Sequence, residues 1–293
     1  MGKQLTFYGT GAAEGIPSPF CSCPVCEHAR KVGGKEIRRR TMFRISETAC
    51  IDLGADAFAQ SLEYGDFIHL HHVLVTHTHE DHLDQMMMNV RNMATCREQE
   101  PLHYYFTDKA YDIVTFYKES EPIIKGMTTQ LEQKGIVAFH RLEYGKTYEI
   151  DGMKVTPLRG NHFGNMGENA ANYLVELPSG VKFYYGLDTG WYLPETLEAL
   201  KGQKLDFLIS ECTFGLTPRE PHPGGHLDAA SCRELFPILL EQGTLTDQSR
   251  IYLAHINHYT SNHQELCEFF ENWKFTCPIT VCWDGFEIPE KME

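Results

Sequence analysis

Thr76-His77-Thr78-His79-Glu80-Asp81-His82 is the stretch on which the interpretation of this chain turns. It follows Val73 to Thr76, a short apolar run of the kind buried on both faces of a sheet, and precedes a helical pattern from Asp84 to about Met93. Four strong metal-binding side chains, His77, His79, Asp81 and His82, fall within six residues. Side chains repeat every two residues at a strand end, so His77 and His79 are expected on one side. The chain then turns, which lets Asp81 and His82 face a second point nearby. That arrangement suits two cations about 3.5–4 Å apart, the spacing of two-metal hydrolases. Chance histidines in a polar loop would not be packed so densely between a buried strand and a helix. His69, His71 and His72 lie upstream without such a context and read as a solvated loop.

Outward from this motif, strand-like runs occur at Leu5 to Tyr8, Arg44 to Ser46, Ala49 to Leu53, Leu102 to Phe106, Val155 to Leu158, Phe207 to Ile209 and Ile251 to Ala254. Tyr173 to Glu176 and Lys182 to Tyr185 flank Pro178-Ser179-Gly180 and predict a hairpin. Lys109 to Lys118, Asp228 to Phe236 and Gln264 to Trp273 have helical patterns, the second ended or kinked by Pro237. Strands alternate with helices but hairpins interrupt them. The expected fold class is α/β, an αβ/βα sandwich of two mixed β-sheets with helices outside. No Pro/Gly/Ser-rich linker divides residues 1–293, which predicts one domain.

Composition narrows the function. The chain carries 26 Lys+Arg against 40 Asp+Glu, a formal net charge of −14. Such an acidic surface repels polyanions, so nucleic acid is an unfavoured partner. The start has no apolar signal segment and no run is long enough to span a membrane, which predicts a cytoplasmic protein with no membrane partner. Of the ten cysteines, seven are scattered and read as reduced thiols. The Arg38-Arg39-Arg40 triplet reads as a solvated charged face, with phosphate contact as its alternative.

The His77-x-His79-x-Asp81-His82 pattern after a buried strand resembles the signature of the metallo-β-lactamase superfamily. Later segments are similar to those that complete its ligand set: Leu158-Arg159-Gly160-Asn161-His162, Tyr185-Gly186-Leu187-Asp188-Thr189-Gly190 and Leu253-Ala254-His255. The resemblance implies a metallo-β-lactamase fold and two catalytic divalent metals, manganese or zinc, with iron also fitting histidine and carboxylate ligands. His77, His79, His162 and Asp188 would hold one metal. Asp81, His82, Asp188 and His255 would hold the other, with Asp188 bridging. A hydroxide between the metals is then the expected nucleophile.

Cys21-x-Cys23-x-x-Cys26 supplies three thiolates, one short of a closed tetrahedral zinc site. His28 is a fourth ligand by proximity. His258, three residues after His255, is another. The pairing of this cysteine loop with a late histidine resembles the phosphoribosyl cyclic phosphodiesterase (PhnP) family, which implies one structural zinc on Cys21, Cys23, Cys26 and His258. It also implies a possible homodimer and a small phosphodiester substrate, with cyclic ribose phosphate favoured. Ser210-Glu211-Cys212-Thr213 and Gly224-Gly225-His226-Leu227-Asp228 resemble segments that support leaving-group protonation, so His226 is expected to donate a proton and Glu211 to orient it. Glu211 has a second reading, as the partner of a metal-binding histidine. The same residues fit a tRNA 3′-processing nuclease or a thioester or lactone hydrolase. A redox di-iron protein and a non-catalytic metal-binding accessory protein are the alternatives from other classes.

Overall fold

The computed structural model describes residues 5–120, 127–259 and 261–289, with the side chains of 115–120 and 127–128 outside the description. One sheet holds six strands in chain order: β1 (Thr6–Gly9), β2 (Met42–Arg44), β3 (Ala49–Ile51), β4 (His72–Leu74), β5 (Leu102–Thr107) and β6 (Val137–Leu142). The other holds seven: β7 (Tyr148–Ile150), β8 (Met153–Phe163), β9 (Asn169–Glu176), β10 (Lys182–Gly186), β11 (Phe207–Glu211), β12 (Arg250–Ala254) and β13 (Ile279–Val281). Both sheets are mixed. In the first, β1 to β3 are antiparallel and β3 to β6 parallel. In the second, β7 to β10 are antiparallel and β10 to β13 parallel.

Period-two alternation divides the apolar runs between separate cores. Leu74, Tyr105, Phe207, Ile209, Tyr252 and Ala254 point between the sheets. Val73 and Tyr104 point the other way, against the helices α2 (Ala57–Tyr64), α3 (Met86–Met93), α4 (Asp108–Ser120) and α5 (Met127–Gln133). Leu208, Ile251 and Leu253 face α1 (Pro24–Val32), α6 (Pro194–Leu200), α7 (Ala229–Glu241) and α8 (His263–Trp273). This is the expected αβ/βα sandwich. Among the described residues no helix is long and apolar enough to cross a membrane.

Three local expectations are corrected. Of the two expected effects of Pro237, an end or a kink, the end does not occur: α7 runs through it to Glu241. A proline in a helix interior costs about 3 kcal/mol or more; burial of Leu235, Phe236 and Leu239 on the same helix opposes that cost. The Arg38-Arg39-Arg40 triplet is not a free solvated face but is partnered within the protein. Arg38 is buried, donating to Thr10 Oγ1 at 2.8 Å and to the Cys282 carbonyl at 2.6 Å. Arg39 pairs with Glu63, and Arg40 with Asp56 at 2.7 Å. Of the three upstream histidines, His72 departs from a solvated loop by opening β4 and meeting the Tyr105 hydroxyl at 3.0 Å, whereas His69 stays on an exposed turn and, with His71, holds Glu98 at 2.7 and 2.6 Å.

The parallel strands of both sheets deliver their C-terminal ends to one edge of the sandwich. Asp52 follows β3, His77 follows β4, Asp188 follows β10, and His255 follows β12. The Tyr173 hydroxyl donates to the Val75 carbonyl at 2.6 Å and the Ala171 amide to the Thr76 carbonyl at 2.7 Å, which ties the end of β4 to the second sheet. Gly54 permits the closest approach: a Cβ there would lie 1.9 Å from the Asp81 carbonyl oxygen.

Candidate metal centre

β4 ends three residues before His77, so residues 77–82 form a turn and not a strand end, closed by the His82 and Leu83 amides donating to the His79 carbonyl at 3.0 and 2.8 Å. The turn, and not strand periodicity, brings His77 Nε2 within 2.8 Å of His79 Nδ1. His162 arrives from the end of β8, a strand that extends beyond Leu158 to Phe163, and places Nε2 3.4 Å from His79 Nδ1. His77, His79 and His162 form one group whose ligand atoms lie within 4.8 Å of one another. Burial and the neighbouring imidazole of His82 hold His77 well below the usual histidine range, in the neutral form that binds metals.

Asp81, His82, Asp188 and His255 form a second, fully buried group. Asp188 Oδ2 lies 2.8 Å from His82 Nε2 and 3.4 Å from His77 Nε2, and its Oδ1 lies 3.1 Å from His255 Nε2. Asp188 therefore stands between the two groups, as expected of a bridging ligand. Three atoms of the second group, His82 Nε2, Asp188 Oδ1 and His255 Nε2, are buried without a hydrogen bond. Buried polar atoms normally have partners, and orphaned ones that converge from imidazole and carboxylate suit a divalent cation. The donor set fits two cations.

The outward nitrogens are held by protein. Asp52 Oδ2 lies 2.6 Å from His82 Nδ1, and its Oδ1 accepts from the Thr76 amide at 2.8 Å. The Thr213 hydroxyl lies 2.9 Å from His255 Nδ1 and donates to Glu211 Oε2 at 2.6 Å. Asp52, Asp188 and His255 all adopt positive φ, of 63°, 49° and 56°. For non-glycine residues such backbone is uncommon and collects at functional sites.

Glu211 is fully buried and serves several groups at once. Its Oε1 accepts from the Thr189 and Gly190 amides, both at 2.8 Å, which fixes the loop that carries Asp188. Its Oε2 lies 3.1 Å from His226 Nδ1. Glu211 therefore touches His226 directly and reaches His255 through the Thr213 hydroxyl. His226 Nδ1 also lies 3.1 Å from Asp188 Oδ1. Burial opposes a charged ring, but the carboxylates of Glu211 and Asp188 raise the His226 imidazole to about 10. Asp188, Glu211, His226 and His255 form a third group of closely spaced ligand atoms.

The cysteine segment is the start of a helix. Pro24 occupies the first turn of α1, and Cys23 caps it through Sγ, 3.5 Å from the Cys26 amide. Cys21, Cys23, Cys26 and His258 form one group, with Cys23 Sγ 3.4 Å from His258 Nδ1. His28 is not in that group and faces Glu36 at 3.5 Å. Although burial raises it, contact with His258 and the Cys26 amide lowers the Cys23 thiol to about 6. Burial, with Cys23 and Cys21 beside it, pushes Cys26 up to about 12. Three thiols and one imidazole are the donors of a closed tetrahedral zinc site, which this set fits.

Residues 49–256 match the β-lactamase superfamily domain. The chain belongs to the metallo-β-lactamase superfamily. No curated protein matches it in sequence. Its fold is similar to that of a diphosphatase from the PhnP family, at 20% identity over 96% of this chain and 94% of the other, with a TM-score of 0.66. It is also similar to zinc-bound PqqB from Methylobacterium extorquens, at 16% identity over 96% and 98% of the two chains and a TM-score of 0.68. Human tRNase Z, short form, aligns at 15% identity over 96% and 97%, with a TM-score of 0.59. The superfamily match runs from β3 through the last of the seven candidate ligands and leaves the cysteine segment and His258 outside.

Asp52 and Glu168 are the site residues that sequence reasoning missed. Buried Glu168 accepts from the Thr78 amide and, through its other oxygen, from the Met166 amide, both at 3.1 Å, and so braces the turn that carries His77 and His79. Asp52 had a usable signal, an acid at the end of the Ala49 to Leu53 apolar run. Asp52→Asn keeps the shape and removes the charge behind His82. Affinity for the catalytic metal is expected to fall about 10–100-fold, as for other partners that orient a ligand histidine. Competition against a chromophoric chelator would measure it; an unchanged affinity would mean that packing alone orients the ring. His263, expected at the surface, is partly buried, with Nδ1 3.0 Å from Arg38 Nη2; His222 is exposed and stacks on Trp191 at 3.8 Å.

Proposed function

We propose that this chain is a metal-dependent hydrolase of small phosphodiesters, with cyclic ribose phosphate the favoured class. The observation that carries this reading is the placement of His226, held by Glu211, directly beside a carboxylate shared by two ligand groups. His77, His79, His162 and Asp188 would hold one divalent cation, manganese, zinc or iron, and Asp81, His82, Asp188 and His255 the other. When bound, such cations supply Lewis acidity toward phosphate oxygens and ionise water near neutral pH.

The chain's own residues then have distinct tasks. Asp52 and Thr213 fix the rings of His82 and His255. Glu211 holds the Asp188 loop and the Nδ1 side of His226, which leaves Nε2 to meet a substrate oxygen. The Glu211 carboxylate at Nδ1 favours the protonated ring, so His226 can deliver a proton to the departing alcohol oxygen. An alkoxide leaves poorly without one, and this need distinguishes phosphodiesters from substrates with better leaving groups.

Phosphorus NMR of the manganese-loaded protein with ribose 1,2-cyclic phosphate 5-phosphate tests the reading. Ring opening to a single monoester is the expected result. No turnover by fully metallated protein would overturn this substrate class.

The cysteine group has a structural part in the same reading. The Ile256 amide donates to the Thr10 carbonyl, and the Asn257 amide to the Thr213 carbonyl, both at 3.0 Å, so His255 and His258 share one clamped segment. Cys23→Ser is expected to release a structural zinc and lower kcat/KM roughly tenfold, the scale of lost outer support for a ligand, while the catalytic metals remain. Mass-spectrometric metal counting alongside turnover checks this. A folded, zinc-depleted variant with full activity would show that the two sites are uncoupled.

A further inference from the structure

The loop after β1 runs beside the segment that carries His255 and His258. Gly11 forms a parallel bridge with Ile256, and the Ala12 amide donates to the Ile256 carbonyl at 3.0 Å. The Gly15 amide then donates to the Ala12 carbonyl at 2.9 Å, with Gly15 at φ 65°, so the chain turns at Ala13 and Glu14. Arg40 Nε holds this turn by donating to the Ala13 carbonyl at 2.8 Å. Glu14 stands three residues beyond the bridge on one segment, and His258 two residues beyond it on the other. Their side chains meet: Glu14 Oε1 lies 3.5 Å from His258 Nε2.

The contact falls on the far side of the ring from the thiols. His258 presents Nδ1 to Cys23 Sγ at 3.4 Å, within the group formed by Cys21, Cys23, Cys26 and His258. Glu14 is not a member of that group. Its Oε1 is buried without a hydrogen bond, and among the described residues His258 Nε2 is the one basic nitrogen within ion-pairing distance of its carboxylate. A buried carboxylate oxygen seldom goes without a donor. A proton on His258 Nε2 would face that oxygen and leave the Nδ1 lone pair facing the thiols. Asp52 stands in the same relation to His82 at the other centre, with the two ring nitrogens exchanged.

We infer that Glu14 is the positioning carboxylate of the cysteine-bearing metal site: it fixes His258 in the Nε2–H tautomer and so commits Nδ1 to the metal. This rests on reading that group as a zinc site and is independent of the substrate. A carboxylate behind a ligand histidine orients the ring and raises its basicity. Glu14 acts through His258 and touches neither the thiols nor the catalytic groups.

Cobalt(II) titration of the full chain tests the assignment, because only a site with thiolate ligands gives sulfur-to-cobalt charge-transfer absorption. Wild type is expected to develop that band and Cys23→Ser to lose it. In Glu14→Ala, zinc affinity at this site, read by displacement of the cobalt against a chelator, should fall about 10–100-fold, while affinity at the centre built from His77 to His255 stays unchanged. Glu14→Gln keeps an oxygen that accepts from Nε2–H, so its loss should be smaller but measurable, and it carries the comparison if Glu14→Ala does not fold. Nitrogen-15 NMR of histidine-labelled, zinc-loaded protein gives a readout that packing alone would not move. His258 should show a metal-bound Nδ1 and a protonated Nε2, whose proton exchanges more slowly in wild type than in the Glu14 variants. Wild-type affinity in both variants, equal losses at both centres, or His258 bound through Nε2 would overturn the assignment. Absence of the charge-transfer band in wild type would remove the zinc reading itself and the inference with it.

Discussion

Asp188→Asn is expected to lower kcat/KM by at least about a thousandfold, the scale of losing a group on which a two-metal site depends. Asp188 is within 3.4 Å of ring nitrogens on His77, His82, His226 and His255. Asparagine preserves the volume but removes the negative charge between two candidate cations, and it turns one acceptor into a donor facing imidazole. The metal content should fall from two catalytic ions per chain to one or fewer. Plasma mass spectrometry on the folded variant, with phosphorus NMR for turnover, gives both numbers. Two retained metals with near-normal turnover would remove Asp188 from the bridging role.

His226→Ala is the second large effect, and its size should depend on the substrate. For a diester with an alcohol leaving group the expected loss in kcat is about 10²–10⁴-fold, the range for a positioned general acid. For bis(p-nitrophenyl) phosphate the loss should be less than about tenfold, because nitrophenolate departs without a proton. Metal content should not change. Equal losses on both substrates together with lost metal would instead make His226 a ligand, consistent with the third group that it forms with Asp188, Glu211 and His255. This comparison separates two roles that the distances alone leave together.

Much of the site was legible in the chain because its parts are compressed. His77, His79, Asp81 and His82 occupy six residues beside a buried strand, so local chemistry and burial pattern reinforce each other. His162, Asp188 and His255 each follow or end an apolar strand, and the parallel registers of β10, β11 and β12 carry the last two to the same edge. The two mixed sheets were legible from the alternation of strands with helices and from the Pro178-Ser179-Gly180 hairpin. Asp52 and Glu168 were not. Each is a single acid whose partners, His82 and Thr78, lie 30 and 90 residues away in sequence. Pro237 misled because local propensity favours a stop, whereas helix α7 is held by tertiary burial of the apolar side chains around it.

The buried atoms left without hydrogen bonds, His82 Nε2, Asp188 Oδ1 and His255 Nε2, have a consequence outside catalysis. Each still faces an opposite group, His82 Nε2 the Asp188 Oδ2 at 2.8 Å and His255 Nε2 the Asp188 Oδ1 at 3.1 Å, so the cost is that of poorly aligned buried pairs, which a cation would relieve. A cation that binds the native chain and not the unfolded one also shifts folding toward the native state by mass action. Newly made chains would therefore reach proteases in proportion to how slowly they acquire metal. Ion supply would then act on how long a chain stays folded as well as on how fast it works.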